Sequence, residues 1–457
     1  MQLLPLQEEG VKFLVERMGA LLEDEMGVGK TIQAVVAATQ VIVGPILVIA
    51  RPLSMEDVWV STIKQMDPSA EVVTANRGEF DYDKVREWFT DRSKTSRQWL
   101  IVYHEMLMTP TSRTTGKLLN DRASDFRSLG MWSLIIADES HRFASRKSQV
   151  TKSLWSIPTA RKWALTGTAM DKSPNDYWTT LHWFDPKRFG SFYTFAKMYT
   201  KDVWLRHRRT TIQINTHAFA RELLPYRLRR MKVDVRPDIP KINTDIVNVD
   251  MSHEQAELYA VARKATFLPI YPNLDDPLFI GSQLVRIARL RQIVLDPMLI
   301  EAYEVSSGKV AWLYTFTQSN QVPTIIFTTS RMFADSLPLV LDGFKSVSGS
   351  MKTIERVQVI KEFRAGKIQG IVATIATMSE SINLREAEIA IFADSHWSTR
   401  SMDQAAARVH RIDTQHEVDI LYLETPHTVD ELIRETLREK KSVRQLVEMY
   451  IKHLKEK

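Results

Sequence analysis

Residues 23–31 read Glu-Asp-Glu-Met-Gly-Val-Gly-Lys-Thr, and Asp138-Glu-Ser-His141 closes an apolar run. A glycine on each side of one valine lets the backbone curl so that its N–H groups face an anion, and the lysine adds a positive charge at the same spot. That is phosphate chemistry. Gly27, Val28 and Gly29 supply amides, Lys30 meets the β- and γ-phosphates of a nucleoside triphosphate, and Thr31 offers a hydroxyl to Mg²⁺. Asp138 is the second hold on the ion, and Glu139 polarises the attacking water. His141 is expected to sense the nucleotide and to hydrogen-bond toward a second lobe or toward the loop Thr166-Gly-Thr168. Where the full P-loop pattern carries its leading glycine, this chain has Asp24. The glycine turn alone is therefore ambiguous; the Asp-Glu pair in the right order behind it removes most of the ambiguity.

Far along the chain stands Gln404-Ala-Ala-Ala-Arg408-Val-His-Arg411. Arg408 and Arg411 would share a face on a helix. By themselves they describe a solvated basic helix. Set beside a P-loop, they read as guanidiniums that stabilise charge on the transferring phosphoryl group, with Gln404 as a coupling residue. A site completed from two lobes ties hydrolysis to their closure. Near the N-terminus, the Gln7 carboxamide has the geometry to read an adenine edge, and its spacing to the P-loop gives it weight. ATP and Mg²⁺ are the expected cofactors.

These groups need rigid supports. Ile46–Ala50, Leu100–Tyr103, Leu134–Ala137 and Trp163–Leu165 are apolar without alternation, the pattern of strands covered on both faces in a parallel sheet. Ligands of such sheets lie beyond the carboxyl ends of the strands, where Arg51–Ser54, Asp138–His141 and Thr166–Thr168 fall. Thr324–Phe327, Gly370–Ala373, Ala387–Ala393 and Val418–Leu423 predict a second sheet of the same kind. From Asp171 to Glu301 the pattern is helical. Its aromatics between Trp178 and Tyr199 read as core, and Pro237 and Pro240 mark a linker. Residues 428–457 carry Val429, Leu432, Ile433, Leu437, Val443, Leu446, Val447, Tyr450, Ile451 and Leu454 at helical spacing, a brace back onto the body.

With 457 residues, 44% hydrophobic and 25% charged, the chain is too long for one core and ordinary for a folded soluble protein. It has no cysteine, which excludes disulfides and thiolate metal sites. The balance of 61 basic to 55 acidic residues is a mild bias toward polyanions. Gly44-Pro45 cuts the most apolar stretch, Ala34–Ala50, so no membrane span is expected, and the N-terminus lacks a secretory signal.

Over nearly its whole length the chain resembles the SNF2 (SWI2/SNF2) group of superfamily 2 helicase-like ATPases. Leu3-Leu-Pro-Leu-Gln7 is similar to the opening glutamine motif, Asp24–Thr31 to motif I, Pro52-Leu-Ser54 to motif Ia, Asp138–His141 to motif II, Leu165–Thr168 to motif III and Gln404–Ile412 to motif VI. More specific are Tyr226-Arg-Leu-Arg229-Arg230-Met-Lys232 before Pro237 and Pro240, and Leu290–Ile293 with Pro297 and Ser307-Gly-Lys309. Both resemble features that ordinary helicases lack. The departures are Ala169 for a proline, Asp413-Thr414 for Gly-Gln, and Met378–Ser381 where motif V carries glycines. Thr374-Ile375-Ala376, Ser173-Pro174 and Phe189–Tyr199 are similar to the distant subgroup that contains annealing helicases.

The resemblance implies an α/β fold of two RecA-like lobes, each a mostly parallel sheet flanked by helices, with helical insertions between the lobes. Lobe 1 would span 1–230 with a helical protrusion after motif III, lobe 2 would span 231–427 with a helical insertion at 251–305, and 428–457 would be the C-terminal brace helix. It implies a DNA-dependent ATPase that translocates on double-stranded or branched DNA and remodels DNA or DNA–protein complexes. The alternatives are a strand-separating or annealing helicase acting on forks, and a nucleotide-gated DNA-binding scaffold without turnover. Arg51, Ser54, Thr329 and Thr374 are expected to meet DNA, while Glu380 near a phosphate backbone would be repulsive unless it points away. A monomer in solution is expected, without an appended chromodomain, bromodomain or zinc module, and a separate protein subunit would recruit it. The setting would be cytoplasmic in a bacterium or phage and nuclear in a eukaryote, intracellular in either case.

Overall fold

The computed structural model describes residues 3–75, 82–91, 97–108, 122–167, 174–205, 208–236, 238–264, 267–270, 273–279, 283–378, 383–396, 399–412 and 414–438. The chain divides into two compact units, Met1–Asp238 with Glu380–Ile382, and Ile239–Ser379 with Asn383–Lys457.

The first unit is built on β1 (Gly19–Leu22), β2 (Pro45–Ala50), β3 (Glu71–Thr74), β4 (Gln98–Tyr103), β5 (Trp132–Ala137) and β6 (Thr159–Leu165). A hairpin of β7 (Thr200–Leu205) and β8 (Arg208–Gln213) follows, and then the short β9 (Arg227–Leu228). The main sheet has the order β3-β4-β2-β5-β6-β1-β9, and every neighbouring pair is parallel. The unbroken apolar runs are the cause. β2 and β4 are buried along nearly their whole length, so alternation has no polar side to serve. Trp59, Trp99, Trp132 and Trp163 are wholly buried in this core. Each removes apolar surface worth on the order of 5 kcal/mol before the entropy cost of ordering it.

The second unit holds β10 (Ile242–Asn248), a hairpin of β11 (Phe267–Ile270) and β12 (Asn273–Phe279), then β13 (Thr324–Thr328), β14 (Phe344–Val347), β15 (Gly370–Thr374), β16 (Ile389–Phe392) and β17 (Val418–Glu424). Its sheet runs β10-β17-β16-β13-β15-β14, again parallel throughout. Phe327, Phe392 and Tyr422 form a ladder across three of these strands, with successive ring centroids 4.9 Å apart. The buried Lys309 donates to the carbonyls of Ala393 (2.8 Å) and Leu423 (3.3 Å) and to Asp430 Oδ2 (2.6 Å). It thereby fixes the start of the helix Val429–Arg438 to the carboxyl ends of β16 and β17. The remainder of the expected brace, 439–457, lies outside the described residues.

The tract expected to be helical between Asp171 and Glu301 is mixed. Helices Pro174–Phe184, Phe192–Tyr199, His253–Lys264 and Gln283–Leu295 are present, but antiparallel hairpins β7–β8 and β11–β12 interrupt them. Thr200–Leu205 and Arg208–Gln213 are rich in β-branched residues (Thr200, Val203, Thr210, Thr211 and Ile212), which suits strands rather than a helix. The aromatics there are core as expected: Trp178, Trp183, Phe189, Phe195 and Tyr199 are buried, and Tyr193 is the exposed exception among those named. No helix among the described residues is long and apolar enough to cross a membrane.

Candidate functional site

In the first unit, β1 ends at Leu22, and the chain turns through residues 23–29 into the helix Lys30–Val41. Gly27 and Gly29 sit at φ +86° and +88°, left-handed backbone that suits glycine. Gly29 is the N-cap of that helix. No side chain caps it and no acidic residue lies in the first turn, so its amide end is left to an anion. Gly29 also makes room for Gln7, since a Cβ there would lie 2.7 Å from Gln7 Nε2. Gly167 does the same from the next loop, where a Cβ would stand 2.3 Å from Met26 Cγ and 3.0 Å from Lys30 Nζ. Two loops thus pack on the lysine without side-chain bulk between them. Lys30 Nζ donates to the carbonyls of Asp24 (2.8 Å) and Glu25 (3.1 Å).

Gln7 is buried, its Nε2 donating to Val28 O (3.0 Å) and its Oε1 accepting from Leu4 N–H (3.1 Å). A carboxamide has four hydrogen-bonding positions, so after these two bonds an N–H and a lone pair remain for an adenine edge.

Asp138 follows β5 directly, two strands from β1. Its carboxylate accepts Trp59 Nε1–H at 3.0 Å and the Glu139 N–H at 2.9 Å. Burial, and then the neighbouring Glu139 charge, push its pKa up to about 6, against the opposing pull of these bonds and of Lys30. That Lys30 acts on Asp138 places both charges in one site. A divalent cation beside this buried carboxylate would offset the burial that disfavours its charge. Among the described residues no cluster of three or more His, Asp or Glu side chains gathers. Mg²⁺ takes one or two carboxylates together with substrate phosphates.

Glu139 sits at φ +49°, a left-handed position that costs about 1–3 kcal/mol in a non-glycine residue. The turn aims its side chain at His141, whose Nδ1 lies 3.3 Å from Glu139 Oε2 and 3.3 Å from Thr166 Oγ1. The imidazole therefore joins the loop after β5 to the loop after β6, as expected. Thr168 lies outside the described residues.

In the second unit, Gln404 and Arg408 are one turn apart on the helix Thr399–Val409, and both are buried. Arg411 does not share that helix face, because the helix stops at Val409. It lies in the following turn, where its N–H donates to Thr414 Oγ1 at 2.8 Å. The threonine that departs from the family pattern thus closes the turn. His410 Nε2 bonds Pro240 O (2.7 Å), and Leu384 N–H donates to Arg408 O (3.0 Å). Pro240 precedes β10 and Leu384 precedes β16, so the arginines lie at the amino edge of this sheet.

The expected DNA contacts end strands instead. Arg51 follows β2, and Ser54 Oγ both donates to Arg51 O (2.8 Å) and accepts Arg51 N–H (3.2 Å). Both residues are buried. In the second unit, Thr374 Oγ1 pairs with Thr377 Oγ1 (2.7 Å), while Thr329 meets Asp394 and Arg291. Thr329 lines a cavity of about 390 Å³ with Arg289, Arg291, Gln292 and Ser330 at the carboxyl edge. Arg51, Ser54 and Thr374 are buried, and Thr329 is half-buried.

Two supporting residues escaped the sequence reading. Trp59 lies in a π-helical turn, Met55–Val60, whose extra residue per turn carries the indole to Asp138. Trp59→Phe should lower stability by about 3 kcal/mol, from a lost charge-assisted bond and a small cavity. It should also raise the Mg²⁺ concentration for half-maximal turnover about tenfold, whereas an unchanged Mg²⁺ requirement would reduce Trp59 to packing.

His104, at the end of β4, bonds Asp138 O through Nε2 (2.9 Å). Burial, and next the Arg142 charge, lower its pKa from 6.5 to about 4, with Arg51 in the same sense and the Asp138 bond and Glu105 opposing. The unfolded chain binds the proton first, so stability falls as pH drops from 6.5 toward 4 and is flat above. The loss reaches about 3 kcal/mol. Urea unfolding across this range should show that slope in the parent and a shallower one in His104→Gln.

A glycine turn opening a helix, an Asp-Glu pair two strands away and a second parallel α/β unit with the buried Arg408 define a P-loop ATPase of the helicase-like class. The SNF2-related domain matches residues 6–299, and the helicase conserved C-terminal domain matches 308–413. The chain belongs to the SNF2-related family and carries its helicase-like pair of domains. It is 27% identical to Protein CHROMATIN REMODELING 5 of Arabidopsis thaliana over 96% of this chain and 27% of that protein. It is 26% identical to mouse Chromodomain-helicase-DNA-binding protein 1-like over 93% of this chain and 48% of the other. The chain thus spans between about a quarter and a half of the curated relatives it matches. A solved structure titled Sulfolobus solfataricus SWI2/SNF2 ATPase core in complex with dsDNA is similar at 21% identity and a TM-score of 0.43, over 96% of this chain and 91% of that one.

Proposed function

We propose that this chain is an ATP-driven translocase on double-stranded DNA that remodels DNA or DNA–protein complexes. The observation that carries this reading is the nucleotide site of the first unit, coupled by His141 to the loop after β6, in a chain whose second unit presents Arg408 and Arg411. ATP would lie with its phosphates on the amides of 27–29 and on Lys30, and its adenine against Gln7. Thr31 and Asp138 would hold Mg²⁺, which neutralises charge on the β- and γ-phosphate oxygens. Glu139 would take up the proton of the attacking water, and Arg408 and Arg411 would stabilise the transferring phosphoryl group on closure. Strand-end loops at the carboxyl edges would grip the DNA backbone, which predicts little base preference. The names of the relatives, chromatin remodelling factors and a helicase-DNA-binding protein, support DNA as the track.

Phosphate release measured with single-stranded, duplex and forked DNA and with RNA tests this. Duplex DNA should stimulate most, and the stimulation should weaken steeply as salt rises. A triplex-displacement assay should score positive where a strand-displacement assay does not. Stimulation by single strands alone would sink the duplex reading.

A further inference from the structure

The segment Tyr226–Lys232, which leads toward the second unit, has no role in the chemistry above. It runs as β9 beside β1 and then along the nucleotide loop itself. Leu21 N–H donates to Tyr226 O (2.6 Å), Glu23 N–H to Leu228 O (2.7 Å) and Glu25 N–H to Arg230 O (2.9 Å). Lys232 N–H continues the ladder to Glu25 Oε2 (2.7 Å).

Side chains lock the same register. Arg227 pairs with the carboxylate of Glu23, which the Tyr177 hydroxyl also meets at 3.2 Å. Arg230 holds both oxygens of Asp24, Nε to Oδ1 at 3.0 Å and Nη2 to Oδ2 at 2.5 Å. It reaches Gln33 Oε1 on the helix behind the loop (2.8 Å) and the carbonyl of Leu6 ahead of Gln7. Glu23, Asp24, Gln33 and Arg230 are all buried. Gly10 makes the space: a Cβ there would lie 1.8 Å from Gln33 Oε1 and 2.7 Å from Arg230 Nη2. A buried pair of this kind adds little net stability, but it admits one arrangement of the chain.

On the opposite side of the same two residues, the Lys30 ammonium binds the carbonyls of Asp24 and Glu25. The lysine of the nucleotide loop is therefore also a partner of Asp24 and Glu25, the two residues onto which Arg230 and Lys232 are bonded. Resting on the ATP reading above, we propose that Arg230 is a positioning residue that makes residues 230–236 an extension of the nucleotide loop. Phosphate drawn onto the loop amides fixes residues 24–29, and the ladder passes that restraint to the stretch entering the second unit.

Hydrogen–deuterium exchange of peptides covering 226–236 tests this in the full chain, with and without a non-hydrolysable ATP analogue, alongside direct binding of a fluorescent analogue. In the parent, the analogue should slow exchange there at least threefold. Two variants separate coupling from folding. Arg230→Lys keeps a cation but loses the fork onto Asp24 and Gln33. Lys232→Pro removes the amide that meets Glu25 at the first position of the helix Lys232–Val235, where proline is tolerated. Both should bind the analogue with parental thermal stability to within a few degrees, yet lose the slowing. Slowing that persists in Arg230→Lys and Lys232→Pro overturns the proposal, as does a parent that binds the analogue without slowing. A parent that binds no analogue overturns the ATP reading itself.

Discussion

Glu139→Gln is expected to lower the turnover number about a thousandfold while leaving nucleotide affinity near the parental value. The amide keeps the shape of the side chain and the left-handed turn at φ +49°, so the loop, His141 and Thr166 stay where they are. What it loses is the capacity to take a proton from water. Lys30→Ala should fail differently. Its missing charge acts on the bound phosphates, so analogue affinity and turnover both collapse. Single-turnover phosphate release, set beside equilibrium binding, tells the two apart. A Glu139→Gln enzyme that keeps more than about a tenth of parental turnover would remove Glu139 from the chemistry and leave the water to another base.

The second large effect is expected at the arginines. Arg408→Ala and Arg411→Ala should each cost about a thousandfold or more in DNA-stimulated turnover, and the double variant should cost little beyond the worse single one. Arg408 is buried one turn after Gln404, and Arg411 is held in a turn by Thr414. The two therefore stand on different backbone supports. Arg→Lys at either place should rescue poorly, since a point charge cannot present a planar fork. Thr414→Val provides an independent check: it removes the hydroxyl that sets the Arg411 turn and should depress turnover while sparing analogue binding. Full DNA-stimulated hydrolysis in Arg408→Ala would exclude a guanidinium role for it.

The parts of this molecule that could be read in advance are those with dense local signals. β2, β4, β5 and β6 were announced by apolar runs, and the nucleotide loop by its glycines, because in both cases the physical requirement falls on consecutive residues. β10 was not visible: six of its seven residues are exposed at the edge of the sheet, so the sequence there reads as polar linker. β9 is too short to leave a pattern. The end of the helix at Val409 depended on an Arg411–Thr414 bond that spacing does not reveal. Trp59 and His104 converge on Asp138 from distant positions, and only the folded sheet brings them together. His104 had one faint signal, a polar residue at a strand's carboxyl end, where the other site residues also lie.

The parallel sheet of the second unit has its arginines at the amino edge and Thr329 and Thr374 at the carboxyl edge. Between them stand strands of about 17 Å, at roughly 3.3 Å per residue, stiffened by the Phe327, Phe392 and Tyr422 rings. Under the proposed translocase reading that sheet would be a strut, with chemical work entering at one end and mechanical load leaving at the other. On that reading, loosening the aromatic ladder would cost distance travelled before it cost hydrolysis.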